Sequence, residues 1–269
     1  MFEMTGIEPP LANALRRIMI AEIPTMAIEK VEMWQNTSVI PDENLAHRMG
    51  LVPIAADPRI FEFRQEGKPF TAENSLRFRL HVQCSKKVPG QPVVLNNTED
   101  EEKHFNNPNV YSGDLVWVPV GDQEARFARD GIPRPKPLLD DILIAKLRPG
   151  QEIEMELICE KGIGKTHAKW SPVCTAYYRL MPVIELQNIK GADAQELKNL
   201  CPMGVFDIED IGKTAVVKNA AKCTTCRECI RPDKFKDRVY LGKQKDVFEF
   251  TVESIGIYKP EEIVTEAIS

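Results

Sequence analysis

The sequence has no excess of positive charge and no long hydrophobic run, and each absence excludes a class of protein. It contains 35 lysine and arginine residues against 40 acidic ones, for a net charge of −5, whereas chains that bind nucleic acid alone normally have a basic excess. The most apolar early segment, Ile18 to Ile28, is interrupted by Glu22 and Pro24 and is too short to span a bilayer. No stretch near the start has the form of a signal peptide. We therefore expect a soluble intracellular protein.

The seven cysteines are an odd number in a chain without an export signal, so reduced thiols or metal ligands are expected in place of disulfides. Cys223, Cys226 and Cys229 stand three residues apart, and Cys201 is followed by Pro202. A cysteine triplet with a distant Cys-Pro is the pattern with which bacterial ferredoxins hold iron–sulfur clusters. We predict that these four cysteines hold a [4Fe-4S] cluster. Four thiolates also suit tetrahedral zinc, and a vacant site is a third possibility.

The same motif leaves room for one cluster only, because Asp233 stands where a second Cys-Pro would begin. A single cluster, in a chain without a flavin motif or a second cluster, has no evident electron partner. A metal site in a small module contributes folding free energy instead. We predict a structural site, and an iron–sulfur electron-transfer protein is the alternative.

Apolar periodicity predicts helices near both ends of the chain. The first, over residues 11–21, has one apolar stripe at helical spacing, formed by Leu11, Ala14, Leu15, Ile18 and Met19. The last begins at Pro260, and its stripe is Ile263, Val264, Ala267 and Ile268. A shorter helix over residues 41–50 is expected to be capped by Gly50.

Alternating residues predict strands in the middle of the chain. The first inward-facing set is Leu76, Phe78, Leu80, Val82 and Cys84, and the second is Ile153, Met155, Leu157 and Cys159. Further strands are predicted over residues 27–34 and 246–254, and the acidic run over residues 96–103 is predicted to be a solvated loop. The segment GIGKTH, residues 162–167, lacks the first glycine of a phosphate-binding loop, because that position is Cys159, and is predicted to be a structural turn.

Several stretches resemble the alpha-like subunits of multisubunit RNA polymerases, the family that includes bacterial alpha and its archaeal counterparts. They are NALRRIMIAEIPTMAIEKV, NTSVIPDENLAHRMGLVPI and FTVESIGIYKPEEI. Residues 140–182, DDILIAKLRPGQEIEMELICEKGIGKTHAKWSPVCTAYYRLMP, are similar to the larger alpha-like subunits shared by eukaryotic RNA polymerases I and III. The polymerase II counterpart is expected to hold zinc with four clustered cysteines, whereas Cys84, Cys159 and Cys174 are scattered here. The polymerase II assignment therefore loses ground, and the polymerase II or archaeal counterpart is kept as a close alternative.

The resemblance implies an α+β fold in three parts. Residues 1–52 and 237–269 are expected to form one discontinuous dimerisation domain, with a strand-rich insert over residues 53–182 and a ferredoxin-like cysteine module over residues 183–236. Members of the family carry a further strand before Phe2 and a longer final helix, so a fragment or a clipped gene model is expected.

The resemblance also implies a role as a non-catalytic assembly subunit of DNA-directed RNA polymerases I and III, in the nucleolus and nucleoplasm. The expected partners are a smaller alpha-like subunit, the second-largest subunits and small zinc-binding subunits, without sequence-specific DNA binding or a membrane. No catalytic residue is expected, because the phosphodiester chemistry belongs to the two largest subunits. The residues implied at subunit interfaces are Leu11, Asn13, Leu15, Arg16, Arg17, Ile18, Met19, His47, Arg48, Ile263 and Ala267. Packing of the apolar stripes on this chain alone, and solvation of both arginines, are the alternatives.

Overall fold

The computed structural model describes residues 1–88 and 101–269. Its helices are α1 (Pro9–Ala21), α2 (Asp42–Gly50), α3 (Glu101–His104), α4 (Gln123–Asp130), α5 (Ala192–Leu200), α6 (Asp233–Lys236) and α7 (Pro260–Ile268). Its strands are β1 (Phe2–Thr5), β2 (Pro24–Asn36), β3 (Ile54–Ala55), β4 (Ser75–Gln83), β5 (Ser85–Lys86), β6 (Phe105–Asn106), β7 (Asn109–Tyr111), β8 (Val116–Val118), β9 (Lys136–Pro137), β10 (Leu143–Lys146), β11 (Glu152–Ile163), β12 (Val173–Leu186), β13 (Phe206–Ile208), β14 (Ala215–Val217) and β15 (Val239–Ser254). Short 3-10 turns lie at Pro58–Ile60, Ser112–Asp114, Ala168–Trp170, Ala220–Lys222 and Glu228–Ile230.

Helices and antiparallel sheets occur together throughout the described chain, so the predicted α+β class is confirmed. Contacts within the chain define two compact units, residues 1–16 with 176–252 and residues 17–175 with 253–269. The three-part division expected from the sequence follows the domains of the family, and contacts within this chain do not test it. It stays a prediction. No helix of the described residues is long and apolar enough to cross a membrane.

The larger unit is built on a four-stranded antiparallel sheet with the strand order β2-β11-β4-β8. Both predicted alternations are confirmed, because each inward-facing side chain is at most 8% exposed: Leu76, Phe78, Leu80, Val82, Cys84, Ile153, Met155, Leu157 and Cys159. Helix α2 adds Leu45 and Met49, both fully buried, to the same apolar core. One face of this sheet is therefore covered and the other carries the charged residues of the same strands.

The charged face of that sheet is organised as cross-strand pairs. They are Arg77 with Glu156, Arg79 with Glu154 and His81 with Glu152. The two arginine pairs join opposite charges on neighbouring strands, and partly exposed pairs of this kind contribute at most about 1 kcal/mol each. These pairs therefore mark the solvent-facing side of each strand and add little to the stability of the sheet.

The smaller unit contains a three-stranded sheet with the order β1-β15-β12. Strand β1 pairs antiparallel with β15 so that Phe2 lies opposite Phe250, and the two rings stack with centroids 5.0 Å apart. Phe248 and Phe250 are both fully buried, which confirms that they share the inward face of the predicted strand. Tyr178 of β12 packs edge-on against Phe248. These rings form the apolar layer of the sheet.

Three details differ from the sequence-based expectations. Gly50 does not cap helix α2, because it is the last helical residue and Leu51 follows it with φ −90° as the cap. Helices α4 and α5 were not predicted, and each is short and strongly polar. The predicted solvated loop covers residues 96–103. Residues 96–100 lie outside the described residues, and residues 101–103 belong to helix α3.

Candidate metal site and candidate subunit interface

The four predicted cysteine ligands line one cavity in the smaller unit. Cys201 follows helix α5 directly, Cys223 follows the turn Ala220–Lys222, and Cys229 lies within the turn Glu228–Ile230. The remaining lining is largely apolar and includes Val205, Phe206 and Leu241. Sequence spacing alone thus identified residues that the fold brings together from two separate segments.

The loop that carries the triplet adopts left-handed backbone between successive cysteines. Thr225 has φ 55° and Arg227 has φ 66°, and neither is glycine. A non-glycine residue in this region costs on the order of 1 kcal/mol or more, so the surrounding structure must hold it there. The two reversals turn the chain around the cavity, so that Cys223, Cys226 and Cys229 all border it.

Backbone amides are directed at two of the sulfur atoms. The Val205 N–H donates to Cys201 Sγ at 3.5 Å, and the Thr225 N–H donates to Cys223 Sγ at 3.4 Å. Hydrogen bonds to sulfur favour the thiolate form, which is the form that binds metals. The arrangement is suited to ligands that carry negative charge.

Without a cation the site opposes ionisation of its own thiols. Burial, with a smaller contribution from the neighbouring Cys223, Cys201 and Cys226, raises the pKa of Cys229 to about 11. Four thiolates in one apolar cavity repel one another unless a positive ion or cluster balances their charge. The donor set therefore makes chemical sense as the ligand shell of a metal centre.

The four sulfur atoms border one cavity without converging on a single point. Among the described residues, a single group has three ligating atoms within 4.8 Å of one another, and it contains no cysteine. Tetrahedral zinc with Zn–S bonds near 2.3 Å places its sulfurs only about 3.8 Å apart. No three of the four cysteine sulfurs are that close among the described residues, and Cys201, Cys223, Cys226 and Cys229 would suit either an iron–sulfur cluster or, with the side chains drawn together, zinc.

That closer group consists of His81, Glu152 and Glu154 on the charged face of the large sheet. His81 Nε2 lies 2.7 Å from a Glu152 carboxylate oxygen, and Glu154 already accepts a hydrogen bond from Arg79. Arg79 is also stacked over Trp34, with 5.5 Å to the ring centroid. Because Arg79 already pairs with Glu154, this group belongs to the cross-strand pairs of the charged face and is not a cation site.

Helix α1, the main predicted interface element, carries apolar residues on two faces. The face buried within this chain is formed by Ala12, Leu15 and Met19. The other face, which we call the α1 ridge, is formed by Leu11, Ala14 and Ile18, of which Leu11 is 62% exposed and Ile18 half-buried. The predicted stripe thus divides, and only the α1 ridge is open to another protein.

The polar interface residues are accessible. Arg17 is exposed, and Arg16 donates from its guanidinium to the Asn13 side-chain oxygen at 2.8 Å. On α2, His47 and Arg48 are both exposed, and Arg48 donates to the Leu143 carbonyl at 2.8 Å. These positions stay predicted contacts with other subunits.

Helix α7 presents less apolar surface than expected. Ile263 and Ala267 are buried within the chain, at 0% and 8% exposure, whereas Ile268 is 68% exposed. Leu15, Met19, Ile263 and Ala267 are therefore buried within the chain, and their predicted role at a subunit interface stays a prediction.

The predicted turn GIGKTH holds two residues whose importance the motif comparison missed. A Cβ on Gly162 would overlap the Trp170 ring at less than 3.0 Å, and one on Gly164 would overlap the Ile20 carbonyl oxygen equally closely. The Lys165 N–H also donates to the Ala21 carbonyl at 2.8 Å. The turn therefore packs against the last residues of α1. The two glycines shortly before Trp170 were the sequence signal that could have revealed this close packing.

The profile of the family described as "RNA polymerase Rpb3/Rpb11 dimerisation domain" matches residues 1–269. The chain belongs to this family. Among relatives in the Rpb3/Rpb11 family, it is 51% identical to "DNA-directed RNA polymerases I and III subunit rpac1" of Dictyostelium discoideum, over 99% of this chain and 74% of that protein. It is 46% identical to the corresponding subunit RPAC1 of Mus musculus, over 99% of this chain and 76% of that one.

A relative from another polymerase is more distant. Identity to "DNA-directed RNA polymerase II subunit rpb3" of Dictyostelium discoideum is 35%, over 99% of this chain and 85% of that protein. The two Dictyostelium discoideum relatives thus differ clearly in their identity to this chain. The resemblance to the shared polymerase I and III subunits within the Rpb3/Rpb11 family is confirmed.

Proposed function

We propose that this chain is a non-catalytic assembly subunit of DNA-directed RNA polymerases I and III. The observation that carries the proposal is identity of 51% over 99% of the chain to a subunit named for both polymerases, against 35% for a polymerase II subunit of the same organism. The proposed place of action is the nucleus, in the nucleolus and nucleoplasm, in the synthesis of ribosomal, transfer and small RNAs.

The proposed first partner is a smaller alpha-like subunit that covers the α1 ridge. Leu11 and Ile18 are seven residues apart on one helix face and offer apolar surface that a partner helix can bury. Obligate interfaces bury more than roughly 2,000 Å² and resemble a protein core. The ridge is therefore one part of a larger interface.

The second proposed contact is made by the arginines of α1 with the second-largest subunits. A guanidinium donates two parallel hydrogen bonds to a carboxylate and is weakly hydrated, so it suits a protein interface. Arg16→Glu is expected to keep the alpha-like pair but to weaken capture of the second-largest subunit. Undiminished capture in a pull-down would remove this role from Arg16, and Lys68→Glu, at an exposed lysine of the larger unit, is the control.

The cysteine site is proposed to hold a [4Fe-4S] cluster with a structural role, and zinc is the second candidate. The convergence of the four cysteines on one cavity and the amide donors to sulfur support a metal centre, and the triplet spacing with a distant Cys-Pro favours the cluster. Such a centre would tie the segment after α5 to the triplet loop and so stabilise the module.

Affinity purification with identification of the bound subunits tests the proposal directly. A tagged full chain, expressed in its own cells, is expected to retain the largest subunits of both polymerases I and III in comparable amounts. Recovery of polymerase II subunits alone, or of no polymerase subunit, would contradict it. Tagged Lys68→Glu chain controls for non-specific capture by surface charge.

A further inference from the structure

One edge of strand β15 is left without a neighbouring strand in the smaller unit. Strand β1 pairs only with residues 247–250, and the chain then turns away at Gly6, which has φ +74°. The Gly6 N–H makes the last bond along this edge, to the Asp246 carbonyl at 2.9 Å. Within the described chain, residues 240–245 have no strand partner on the β1 side. This free edge is long enough to pair with another extended segment.

The residues beside the free edge are basic. Lys243 and Lys245 are exposed on β15, and Arg227 comes from the triplet loop to line an open groove together with Lys243 and Tyr240. Other basic residues of the same unit are paired, such as Arg238 with Asp193 at 3.0 Å. No ion pair is found for Arg227, Lys243 or Lys245 among the residues that the structure describes.

The charge of this region opposes that of the whole chain. Residues 213–245 contain ten lysine and arginine residues against three acidic ones, although the complete chain has a net charge of −5. Lysines on a free edge commonly serve only to prevent aggregation between strands. Arg227 reaches the same groove from a different segment, which edge protection does not require.

Tyr240 supplies a flat apolar surface at the same place. Its side chain is 59% exposed and lies over Gly242, where a Cβ would stand only 2.9 Å from the ring. Gly242 therefore leaves room for the ring to lie along the strand. An incoming backbone would find both hydrogen-bonding groups and an aromatic contact.

We propose that this free edge of β15 binds an extended acidic peptide segment of a partner protein as an added antiparallel or parallel strand. Backbone hydrogen bonds along residues 240–245 would provide affinity, as in other cases of strand addition. Arg227, Lys243 and Lys245 would select acidic side chains and would reject basic ones. The inference concerns a surface separate from the α1 ridge and holds whichever polymerase the chain joins.

Peptide binding to the full chain tests the inference. The probe is a labelled eight-residue peptide in which Glu alternates with Val, with blocked ends. Lys243→Glu combined with Lys245→Glu is expected to weaken its binding at least about tenfold, because like charges would face one another. Lys68→Glu combined with Lys146→Glu changes the net charge equally, at exposed lysines of the other unit, and is expected to have no effect.

Two further probes separate strand addition from simple charge attraction. The same peptide methylated at alternate backbone nitrogens keeps its charges but loses its donors, and it is expected not to bind. Hydrogen exchange of the backbone amides of residues 240–245 is expected to slow at least tenfold with the unmodified peptide only.

The inference is overturned by any of three results. They are equal binding of the methylated peptide, unchanged binding by the Lys243 and Lys245 variant, and no binding at millimolar peptide. Stronger binding of a twelve-nucleotide oligothymidine than of the acidic peptide would show a nucleic-acid groove instead. Because none of these measurements involves polymerase capture, the proposed function is tested separately.

Discussion

At the scale of single residues, Trp170 fixes the backbone around it. Its ring nitrogen donates to the Glu160 carbonyl at 3.1 Å, and its own carbonyl accepts a hydrogen bond from the buried Thr25 hydroxyl at 2.8 Å. The side chain is 6% exposed and occupies the space that a side chain at position 162 would need. The ring thus joins three segments of the larger unit, and Gly162 is the residue that admits it.

Gly162→Ala is expected to destabilise the larger unit by at least about 2 kcal/mol, because overpacking of a rigid ring forces the backbone to move. Gly50→Ala is the matched control. There the added carbon meets the Ile28 carbonyl oxygen at an ordinary 3.5 Å, at the last residue of α2, so stability is expected to change by less than about 1 kcal/mol. Urea unfolding monitored by tryptophan fluorescence measures both changes. Equal effects of the two variants would contradict the role given to Trp170.

The cysteine site gives a second prediction at this scale. Cys226→Ser is expected to abolish most of the bound iron and the absorption band near 400 nm, and to make residues 183–236 more sensitive to protease. Cys174→Ser removes an exposed cysteine that lies outside the site and is expected to change neither. Metal analysis of anaerobically prepared protein provides the measurement. Wild-type protein that contains zinc and no iron would mean that the site binds zinc and not a cluster. Wild-type protein that contains neither metal would refute the metal site.

At the scale of elements, the strands were predictable and the helix faces were not. Alternation in β4 and β11 identified every inward-facing residue named for the two strands, because one face of the sheet is covered and the other is charged. Helix α1 has apolar residues around more than half of its circumference, so periodicity could not separate Leu15, which packs inside, from Leu11, which does not. Residues meant for a partner look the same in sequence as residues of the core.

Helix α7 makes an ion pair with one charged group outside it. Arg59 donates to the Asp57 carboxylate at 2.9 Å and to Glu266 of α7 at 3.4 Å, and it lies over the Tyr258 ring. Partial burial acts to raise the pKa of Asp57, but hydrogen bonds from Arg59 outweigh it, so the pKa falls below its ordinary value of 3.8. Asp57 in the folded protein therefore releases its proton more readily than in the unfolded chain.

This shift predicts a stability that depends on pH. A lowered pKa stabilises the folded state fully above about pH 4, and the contribution disappears as the pH falls through the folded-state pKa. Asp57→Asn is expected to be less stable than the wild type at pH 7, by no more than about 1 kcal/mol for so exposed a pair. The difference is expected to be smaller at pH 2.5 than at pH 7. Urea midpoints at both pH values measure it.

Asp141→Asn is the control for that comparison, since Asp141 is exposed and makes no hydrogen bond or ion pair with the described residues. Its effect is expected to be small at both pH values. A difference for Asp57→Asn that stayed constant from pH 7 to pH 2.5 would mean that Arg59 does not act through the charge of Asp57.

At the scale of the whole molecule, the convergence of the four cysteines could be predicted from the sequence, but the shape of the loop that carries three of them could not. Four cysteines with this spacing predicted their own convergence, since few other structures use such a triplet. The left-handed backbone at Thr225 and Arg227 could not be predicted, because non-glycine residues rarely adopt it. The free edge of β15 was also invisible, since it depends on where β1 stops pairing.

The α1 ridge gives the prediction that concerns the complete molecule. Leu11→Asp combined with Ile18→Asp is expected to change the free energy of unfolding of the isolated chain by less than about 1 kcal/mol, because Leu11 is exposed and Ile18 only half-buried. The same double variant is expected to lose the smaller alpha-like subunit, since a charge buried in an apolar interface is heavily penalised. Leu15→Ala, on the buried face, is expected to cost about 2–5 kcal/mol in the isolated chain.

Co-expression with that smaller partner, followed by size-exclusion chromatography and urea unfolding, separates these effects. The wild type is expected to elute as a heterodimer and the double aspartate variant as a folded single chain. A double variant that still forms the heterodimer would mean that the ridge lies outside the interface. A double variant that unfolds would mean that Leu11 and Ile18 belong to the core. These outcomes distinguish a chain whose α1 ridge is buried by a second protein from a chain whose α1 ridge stays exposed to solvent.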